Sequence, residues 1–246
     1  MLNFLMSNEA LFVIQLIVAF AGVVLAYKFF GKVGLFVWAG LLTVYANLEV
    51  NSFLTMFWLP VSLGNIGFCS LSFAQDIVNE KYGKDVAKKV VTVGLFSSLA
   101  VLALSQLSCL FSFDGGNFEA FHNVFAPLLP ILITSLLSYF LSNRLNVLLY
   151  DWIRKRTDRM WIKTQFSSQI AQLFDTVFFT ALCVLWEILA VKTGSSWMHT
   201  FFPTSMSAFV GLVITSYIIK AIVVIAEIPG MKVINLVESK CKISEI

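Results

Sequence analysis

The sequence predicts an all-α integral membrane protein: a polytopic bundle of seven transmembrane helices with its N-terminus outside and its C-terminus in the cytoplasm. Three observations lead to this prediction. Of the 246 residues, 59% are apolar and 13% are charged, whereas soluble domains average about 45–50% and about 25%. The apolar residues form repeated runs long enough to cross a bilayer, which takes about 20 residues of helix. The basic residues lie almost entirely in alternate connections between these runs.

Seven runs of this length follow one another, so we expect 1–246 to be a single transmembrane domain. Porin-like strands would be about 10 residues long and would alternate in polarity, which these runs do not. The first run lacks a preceding basic residue and is longer than the apolar part of a signal peptide, so we expect a retained helix. The polar stretch 151–165 is predicted to be a connecting loop. The predicted spans are 10–30, 35–59, 61–79, 90–113, 124–150, 166–191 and 204–228.

The orientation follows from the seventeen Lys and Arg residues, of which fifteen fall on one side of the predicted bundle. The positive-inside rule assigns that side to the cytoplasm. The opposite side holds Lys192 with Glu9, Asp114 and Glu119. The net charge of +3 therefore reflects topology, and no nucleic-acid partner is expected. The cytoplasmic set is Lys28, Lys32, Lys81, Lys84, Lys88, Lys89, Arg144, Arg154, Lys155, Arg156, Arg159, Lys163, Lys232, Lys240 and Lys242.

Ionisable and amide side chains lie within four of the predicted spans. A charge at the centre of a bilayer costs at least about 2.5–3.5 kcal/mol, so such groups usually face the interior of a bundle. Helical periodicity places them on stripes, one to a span. The stripes are Asn65, Ser72, Asp76 and Asn79 on the third span, flanked by Glu80; Ser168, Gln172, Asp175 and Phe179 on the sixth; Thr43, Asn47 and Asn51 on the second; and Ser216, Lys220 and Glu227 on the seventh.

Two interpretations compete for these residues. Amides and hydroxyls in membrane helices often only join helices, at roughly 0.6 kcal/mol each, and we interpret Ser72, Ser168 and Thr43 in that way. An ionised group is a costly way to join helices, so for Asp76, Asp175 and Lys220 we favour a functional role. Glu80 fits a functional role and an interfacial position beside Lys84 equally well.

Several catalytic chemistries have no counterpart in the sequence. The two histidines, His122 and His199, fall in or beside predicted outer loops, so no histidine-based metal centre is expected within the membrane. The chain has no phosphate-binding GxxxxGK[ST] motif, no HExxH and no GxSxG. The four cysteines form no CxxC pair. We therefore expect no catalytic residues, no metal and no cofactor, and a charged interior of this kind is typical of solute transporters.

Three motifs resemble those of one known family, and they occur in the same order. DIVNEKYGKDVAKK, 76–89, resembles the Asp-x-x-x-Glu-x-[Tyr/Phe]-Gly-x-x-x-Ala-[Arg/Lys]-[Arg/Lys] signature of the YhhQ family, the vitamin uptake transporter group of queuosine precursor transporters. SSQIAQLFDTVFF, 167–179, is similar to its Gln-x-x-Asp-Thr-x-x-Phe helix, and SYIIKAIVVIAEIP, 216–229, to its Tyr-x-x-Lys…Pro ending. The resemblance covers about 47–237. It implies a six-helix family core, assigned to 34–237, and an additional N-terminal helix in 1–33.

The resemblance implies a multi-pass protein of the bacterial cytoplasmic (inner) membrane that imports a small 7-deazaguanine base, preQ0, preQ1 or queuine, for tRNA modification. A carboxylate can accept the N1 and 2-amino hydrogens of a guanine-like edge, and Lys220 or an amide can donate to O6. A second carboxylate would neutralise the amine of preQ1 or queuine, and which acid does which stays open. The predicted substrate-binding residues are Asn47, Asp76, Asn79, Glu80, Gln172, Asp175 and Lys220.

Our leading hypothesis is secondary-type transport by alternating access, in which Lys220 pairs with one of the two acids until substrate displaces it. An alternative is a substrate-binding subunit of an energy-coupling-factor-type importer, which needs a separate ATPase. A membrane enzyme or scaffold is a third hypothesis, for which the sequence offers no nucleophile. The sequence leaves open the preferred base, the choice between an ion-coupled and a facilitated mechanism, and whether the chain forms a homo-oligomer.

Overall fold

The structure is a computed structural model and describes residues 7–50, 52–56, 59–111, 116, 118–125, 128–157, 160–195, 198–200 and 202–240. Long helices dominate this part of the chain, which confirms the predicted all-α polytopic membrane fold. The elements are α1 (Asn8–Glu49), β1 (Phe53–Met56), β2 (Leu59–Ser62), α2 (Gly64–Tyr82), α3 (Lys84–Ser108), α4 (Phe118–Phe125), α5 (Leu128–Arg154), α6 (Met160–Thr193) and α7 (Met206–Lys240).

Helix α1 consists of two antiparallel halves that are separated by a sharp break at Gly31. Gly31 has φ 54° and ψ −133°, a backbone conformation that residues with a Cβ atom rarely adopt. Contacts across the break pair residues in reverse order, since Gly34 approaches Ala26 and Trp38 Nε1 donates to the carbonyl of Ala19 at 3.3 Å. The break therefore lies between the first two predicted spans, and each half of α1 contains one of them.

A β-hairpin follows α1, and this corrects the predicted second span. That span was expected to continue to Leu59, but α1 ends at Glu49 and strands β1 and β2 pair antiparallel, with Phe53 opposite Ser62. The strands include one aromatic and two β-branched residues, Phe53, Thr55 and Val61, which are types that favour extended backbone. Pro60 also lacks the N–H group that a continuing helix would require.

The remaining helices are longer at several ends than the apolar runs predict. The polar stretch 151–165 contains the connection between α5 and α6, as predicted, but the connection is shorter than predicted, because α5 continues to Arg154 and α6 begins at Met160. Helix α7 continues through Pro229 to Lys240, beyond the predicted end of the seventh span. Apolarity marks the part of a helix that lies in lipid, whereas hydrogen bonding lets the helix continue into water.

Apolar side chains cover much of the helix surface. Large exposed apolar residues occur on α1, α3, α6 and α7, which is the expected surface of a protein solvated by lipid tails rather than by water. Four stretches within the described residues are long and apolar enough to cross a membrane. They are Asn8–Glu49, Asp85–Ser108, Glu119–Ser142 and Gln165–Thr193. The Met206–Ile222 part of α7 is apolar but shorter. The count of seven spans and their orientation stay predictions.

The chain divides into two compact units, residues 1–125 with 225–246 and residues 126–224. In unit 1, α1 packs against α2 and α3. Phe73 of α2 is fully buried and stacks on Phe20 with ring centroids 4.7 Å apart. Unit 2 is built from α5 and α6, which pack against each other, and from the first part of α7.

Small residues let the helices of unit 1 approach closely, as is common in membrane proteins. A Cβ atom on Gly94 of α3 would lie 2.5 Å from Thr43 Oγ1 of α1. One turn further along α1, a Cβ atom on Gly67 of α2 would lie 2.7 Å from Ala46 Cβ. The second half of α1 is therefore held between two helices that present glycine to it.

We expect Gly94→Leu to destabilise unit 1, because overpacking a tight contact costs about 1–3 kcal/mol or more. The purified variant in detergent should unfold at a lower temperature than the parent protein. The matched control is Ala103→Leu, which adds the same side chain at an exposed position of the same helix. Equal melting temperatures for the two variants would contradict the close contact between α1 and α3.

Candidate functional site

The candidate site lies in unit 2, where an acid, a base and a hydroxyl from three helices meet. Lys220 Nζ of α7 donates to Asp175 Oδ2 of α6 at 2.9 Å. Ser138 Oγ of α5 donates to the other carboxylate oxygen, Asp175 Oδ1, at 2.7 Å. Each helix thus contributes one member, and Asp175 is the group that joins them.

The two charged side chains differ in exposure. The Lys220 side chain is 7% exposed and the Asp175 side chain is 26% exposed. A lysine this deeply buried needs an anionic partner, because leaving either charge of a buried pair alone is costly. The ammonium is therefore enclosed by protein, whereas part of the carboxylate can be reached by a ligand.

Ser138 was not among the predicted site residues, although the sequence carries a signal for it. It lies in the run SLLSYFLS, where Ser135, Ser138 and Ser142 recur at three- and four-residue spacing along α5. Such spacing puts hydroxyls on one helix face. The run by itself does not indicate which serine meets a charged group on another helix.

Two amides lie near the pair on α6. Gln172, a predicted site residue, is half-buried and precedes Asp175 by three residues, so it lies on the neighbouring turn. Gln169 was not predicted; its Nε2 donates to the carbonyl of Ala221, next to Lys220 in α7, at 3.5 Å. Its Oε1 is buried without a hydrogen-bond partner among the described residues. Gln169 thus presents an unused acceptor where α6 contacts α7.

The C-terminal half of α6 is contacted by a segment that we name the strap, residues 199–202, of which 199, 200 and 202 are described. Phe179, Cys183 and Glu187 of α6 recur at four-residue intervals, so each lies about 40° further round the helix than the one before it. The strap contacts them in reverse order. His199 Nδ1 lies 2.9 Å from Glu187 Oε1, Thr200 N donates to Glu187 Oε2 at 2.8 Å, Thr200 Oγ1 donates to the carbonyl of Cys183 at 2.7 Å, and Phe202 packs edge-to-face on Phe179 at 5.9 Å between ring centroids.

Glu187 was not among the predicted site residues, and His199 was predicted only to lie in or beside an outer loop. A signal existed, since Glu187 is an acid within an apolar run. Its partners are separated from it by a turn and a loop, so helical periodicity alone could not identify them.

Four of the predicted site residues lie in unit 1. Asn47 is buried, and its Nδ2 donates to the carbonyl of Thr43 at 2.8 Å and to Ser98 Oγ of α3 at 3.4 Å. On α2, Asp76 is half-buried and Asn79 is exposed, so the predicted stripe extends from the interior to the surface. Glu80 lies in α2, but its side chain is outside the described part of the chain, as is that of Glu227.

The arrangement in unit 2 combines an acceptor and a donor of opposite charge at hydrogen-bond distance. Among the described residues, no group of three or more His, Cys, Asp or Glu side chains is placed to hold a metal ion. A carboxylate and an ammonium side by side can instead bind a neutral ligand whose edge carries donors next to an acceptor.

Comparison with known proteins identifies the family that this chain matches. The family described as "Putative vitamin uptake transporter" matches residues 62–234, which include Ser138, Asp175 and Lys220. A Bacillus subtilis (strain 168) protein named "Probable queuosine precursor transporter" is 35% identical over 209 residues, covering 83% of this chain and 90% of its own. No solved structure matches the chain.

Proposed function

The chain belongs to the vitamin uptake transporter family, and from this premise we propose that it imports a 7-deazaguanine precursor of queuosine through a site centred on Asp175 and Lys220. The family and the apolar helices make it a multi-pass transporter of the bacterial cytoplasmic (inner) membrane. The family is one of transporters, in agreement with the expectation that the chain is not an enzyme. The name of the Bacillus subtilis relative, a probable queuosine precursor transporter, supports queuosine precursors as the substrate class.

The ion pair between Asp175 and Lys220 is the observation that carries this proposal. The guanine-like edge of a 7-deazaguanine presents three groups in a row: a 2-amino donor, an N1–H donor and the O6 acceptor. A carboxylate accepts the first two together, and an adjacent ammonium donates to the third. Asp175 and Lys220 supply these groups at 2.9 Å from each other.

The hydrogen bonds already present determine how a base would enter. An ionised carboxylate has about four lone-pair positions, so Asp175 can keep the hydrogen bond from Ser138 while it accepts donors from the base. Lys220 then turns its ammonium from Asp175 Oδ2 toward O6, and the charge pair is retained at a slightly longer distance. Gln172, on the neighbouring turn of α6, is proposed to bond the pyrimidine part of the ring system. Asn47, Asp76, Asn79 and Glu80 of unit 1 stay predictions.

The test is uptake of preQ0, preQ1 and queuine by cells that cannot synthesise the bases and lack their own transporter. Queuosine in tRNA is the readout, because tRNA modification consumes only base that has entered the cell. We expect this protein, expressed alone, to restore queuosine with at least one base at nanomolar to micromolar supply. Cells that carry the empty vector should show none.

Binding by purified protein separates the remaining alternatives. Thermal stabilisation by a base without uptake in a host lacking an ATP-driven importer motor would favour the binding-subunit hypothesis. Absence of both binding and uptake for all three bases would overturn the proposed function.

A further inference from the structure

We propose that the turn between the two halves of α1 binds the headgroup of an anionic phospholipid. We name residues 28–33 the α1 turn. In this role Lys28 and Lys32 supply positive charge to the lipid phosphate, while Phe29 and Phe30 anchor the turn among the acyl chains. The role depends on the membrane fold and not on the identity of the transported base.

The α1 turn lies at the depth of a membrane surface. At about 1.5 Å per residue, the first half of α1 rises about 35 Å from Asn8 to Gly31, and the second half rises about 27 Å from Gly31 to Glu49. Both lengths are close to the hydrocarbon thickness of a bilayer, about 30 Å. Because the halves run antiparallel and each contains a predicted span, the turn that joins them lies where the acyl chains meet the headgroups.

The α1 turn exposes apolar side chains, which a turn in water would not favour. Phe29, Phe30 and Val33 are 57%, 56% and 48% exposed, and the two phenylalanine rings contact each other edge-to-face at 6.4 Å between centroids. Turns that face water are rich in Gly, Pro, Asn, Asp and Ser, whereas this one has two aromatic residues beside its glycine. Apolar side chains at this depth are buried at the boundary between headgroups and acyl chains.

Two lysines flank these rings. Lys28 and Lys32 are both exposed, and neither forms an ion pair with a carboxylate among the residues that the structure describes. The Lys28 ammonium lies 5.6 Å from the centroid of the Phe29 ring, and the Lys32 ammonium lies 5.8 Å from that of Tyr82. Basic side chains cover apolar surface with their methylene groups and keep their charge in the polar layer. Both charges are therefore available to a phosphate.

The connection between α2 and α3 adds positive charge next to the α1 turn. Tyr82, which Lys32 contacts, is the last residue of α2, and α3 begins at Lys84. Asp85 is paired with Lys88 at 2.9 Å, so this acid does not neutralise the lysines of the turn. Together the turn and the connection contain six lysines and two acids, a net charge of +4. These residues are Lys28, Lys32, Lys81, Lys84, Lys88 and Lys89 with Glu80 and Asp85.

An anionic phospholipid is the ligand that uses both features of this surface. Its phosphate is attracted by the lysines, as basic clusters beside membrane spans attract anionic lipids. Its acyl chains pack on the exposed rings of Phe29 and Phe30. A soluble anion such as inorganic phosphate contacts only the lysines. A zwitterionic lipid contacts the rings but leaves the excess positive charge without a counterion.

Binding is measured on purified protein in detergent, as the concentration of phosphatidylglycerol that gives half of the maximal thermal stabilisation. We expect the double variant Lys28→Gln with Lys32→Gln to need at least about tenfold more phosphatidylglycerol than the parent, since each basic residue near an anionic surface contributes about fivefold. Lys28→Arg with Lys32→Arg should stay within a few-fold of the parent, because it keeps both charges. Lys192→Gln, at an exposed lysine of α6, is the control and should behave as the parent.

Two further ligands test which part of the lipid is recognised. Phosphatidylcholine and inorganic phosphate should each stabilise the parent much less than phosphatidylglycerol does at equal concentration. Equal stabilisation by inorganic phosphate would show that no lipid is needed, and equal stabilisation by phosphatidylcholine would show that charge is not recognised. Either result would overturn the proposal, as would a double glutamine variant that binds phosphatidylglycerol as tightly as the parent.

The depth of the turn is measured independently in full-length protein reconstituted in bilayers. The fluorophore bimane is attached to Phe30→Cys in a background in which the four native cysteines are replaced by alanine. We expect quenching by lipids that carry bromine on their acyl chains and little quenching by iodide in the buffer. Bimane at Asp85→Cys, where the native side chain is 91% exposed, is the control and should be quenched by iodide. Quenching of the Phe30→Cys label by iodide alone, or by neither agent, would place the turn in water or against protein and would contradict lipid binding there.

Discussion

Replacing Asp175 by Asn is expected to reduce uptake about 100-fold or more without reducing the amount of protein in the membrane. The asparagine side chain keeps the shape of the aspartate and can still accept one hydrogen bond from Ser138. It carries no charge and has one oxygen instead of two, so it cannot accept both donors of a guanine-like edge. Hydrogen bonds to charged groups contribute about 1.5–3 kcal/mol each, and two of them correspond to at least this loss of affinity.

The measurement is the initial rate of base uptake in intact cells, normalised to protein detected in isolated membranes. Asp85→Asn is the matched control, because the Asp85 side chain is 91% exposed at the start of α3. Ser138→Ala should have an intermediate effect of about tenfold, since it removes one hydrogen bond to the carboxylate. Full uptake by Asp175→Asn would exclude Asp175 as the group that reads the base.

Replacing Lys220 by Met is expected to abolish uptake and also to destabilise the protein. Methionine fills a similar volume but leaves the partly exposed Asp175 carboxylate without the cation that is buried beside it. Removing one partner of a buried ion pair costs roughly 3–5 kcal/mol. For a chain of this length, that corresponds to a decrease of about 6–20 °C in the melting temperature, and the partial exposure of Asp175 favours the lower part of this range.

The double variant Asp175→Asn with Lys220→Met separates stability from function. It removes both charges, so we expect it to recover most of the lost melting temperature while uptake stays absent. Lys192→Met is the control, because Lys192 is exposed near the end of α6. A Lys220→Met protein as stable as the parent would contradict the buried ion pair, and uptake by the double variant would contradict its role in binding.

The extent to which the fold was predictable differs from element to element. The seven predicted spans were visible as long apolar runs. Each of them lies within helix for most of its length. The hairpin at 53–62 was not predicted, because an apolar stretch beside a helix has no periodicity that separates strand from helix. The helical stretches 151–154 and 160–165 were not predicted, because hydropathy does not identify the parts of a helix that extend beyond the lipid.

The candidate site was predictable in its parts but not in its assembly. Asp175 and Lys220 were identified because charges within membrane spans are costly and are seldom retained without a role. Whether Lys220 pairs with Asp76 or with Asp175 was left open, and the structure shows the pair with Asp175. Ser138 and the contacts of Glu187 were missed, because serines and loop residues carry no comparable energetic signal.

The sequence by itself determined the membrane class, the approximate positions of the helices and the polar stripes on four of the predicted spans. These properties depend on local composition and on the helical repeat, and both can be read along one stretch of chain. Only the tertiary structure decided that α5, α6 and α7 bring Ser138, Asp175 and Lys220 together, and that the strap lies on α6. Those contacts join residues up to 45 positions apart, and they depend on how each helix is rotated and packed against its neighbours, which no single stripe specifies.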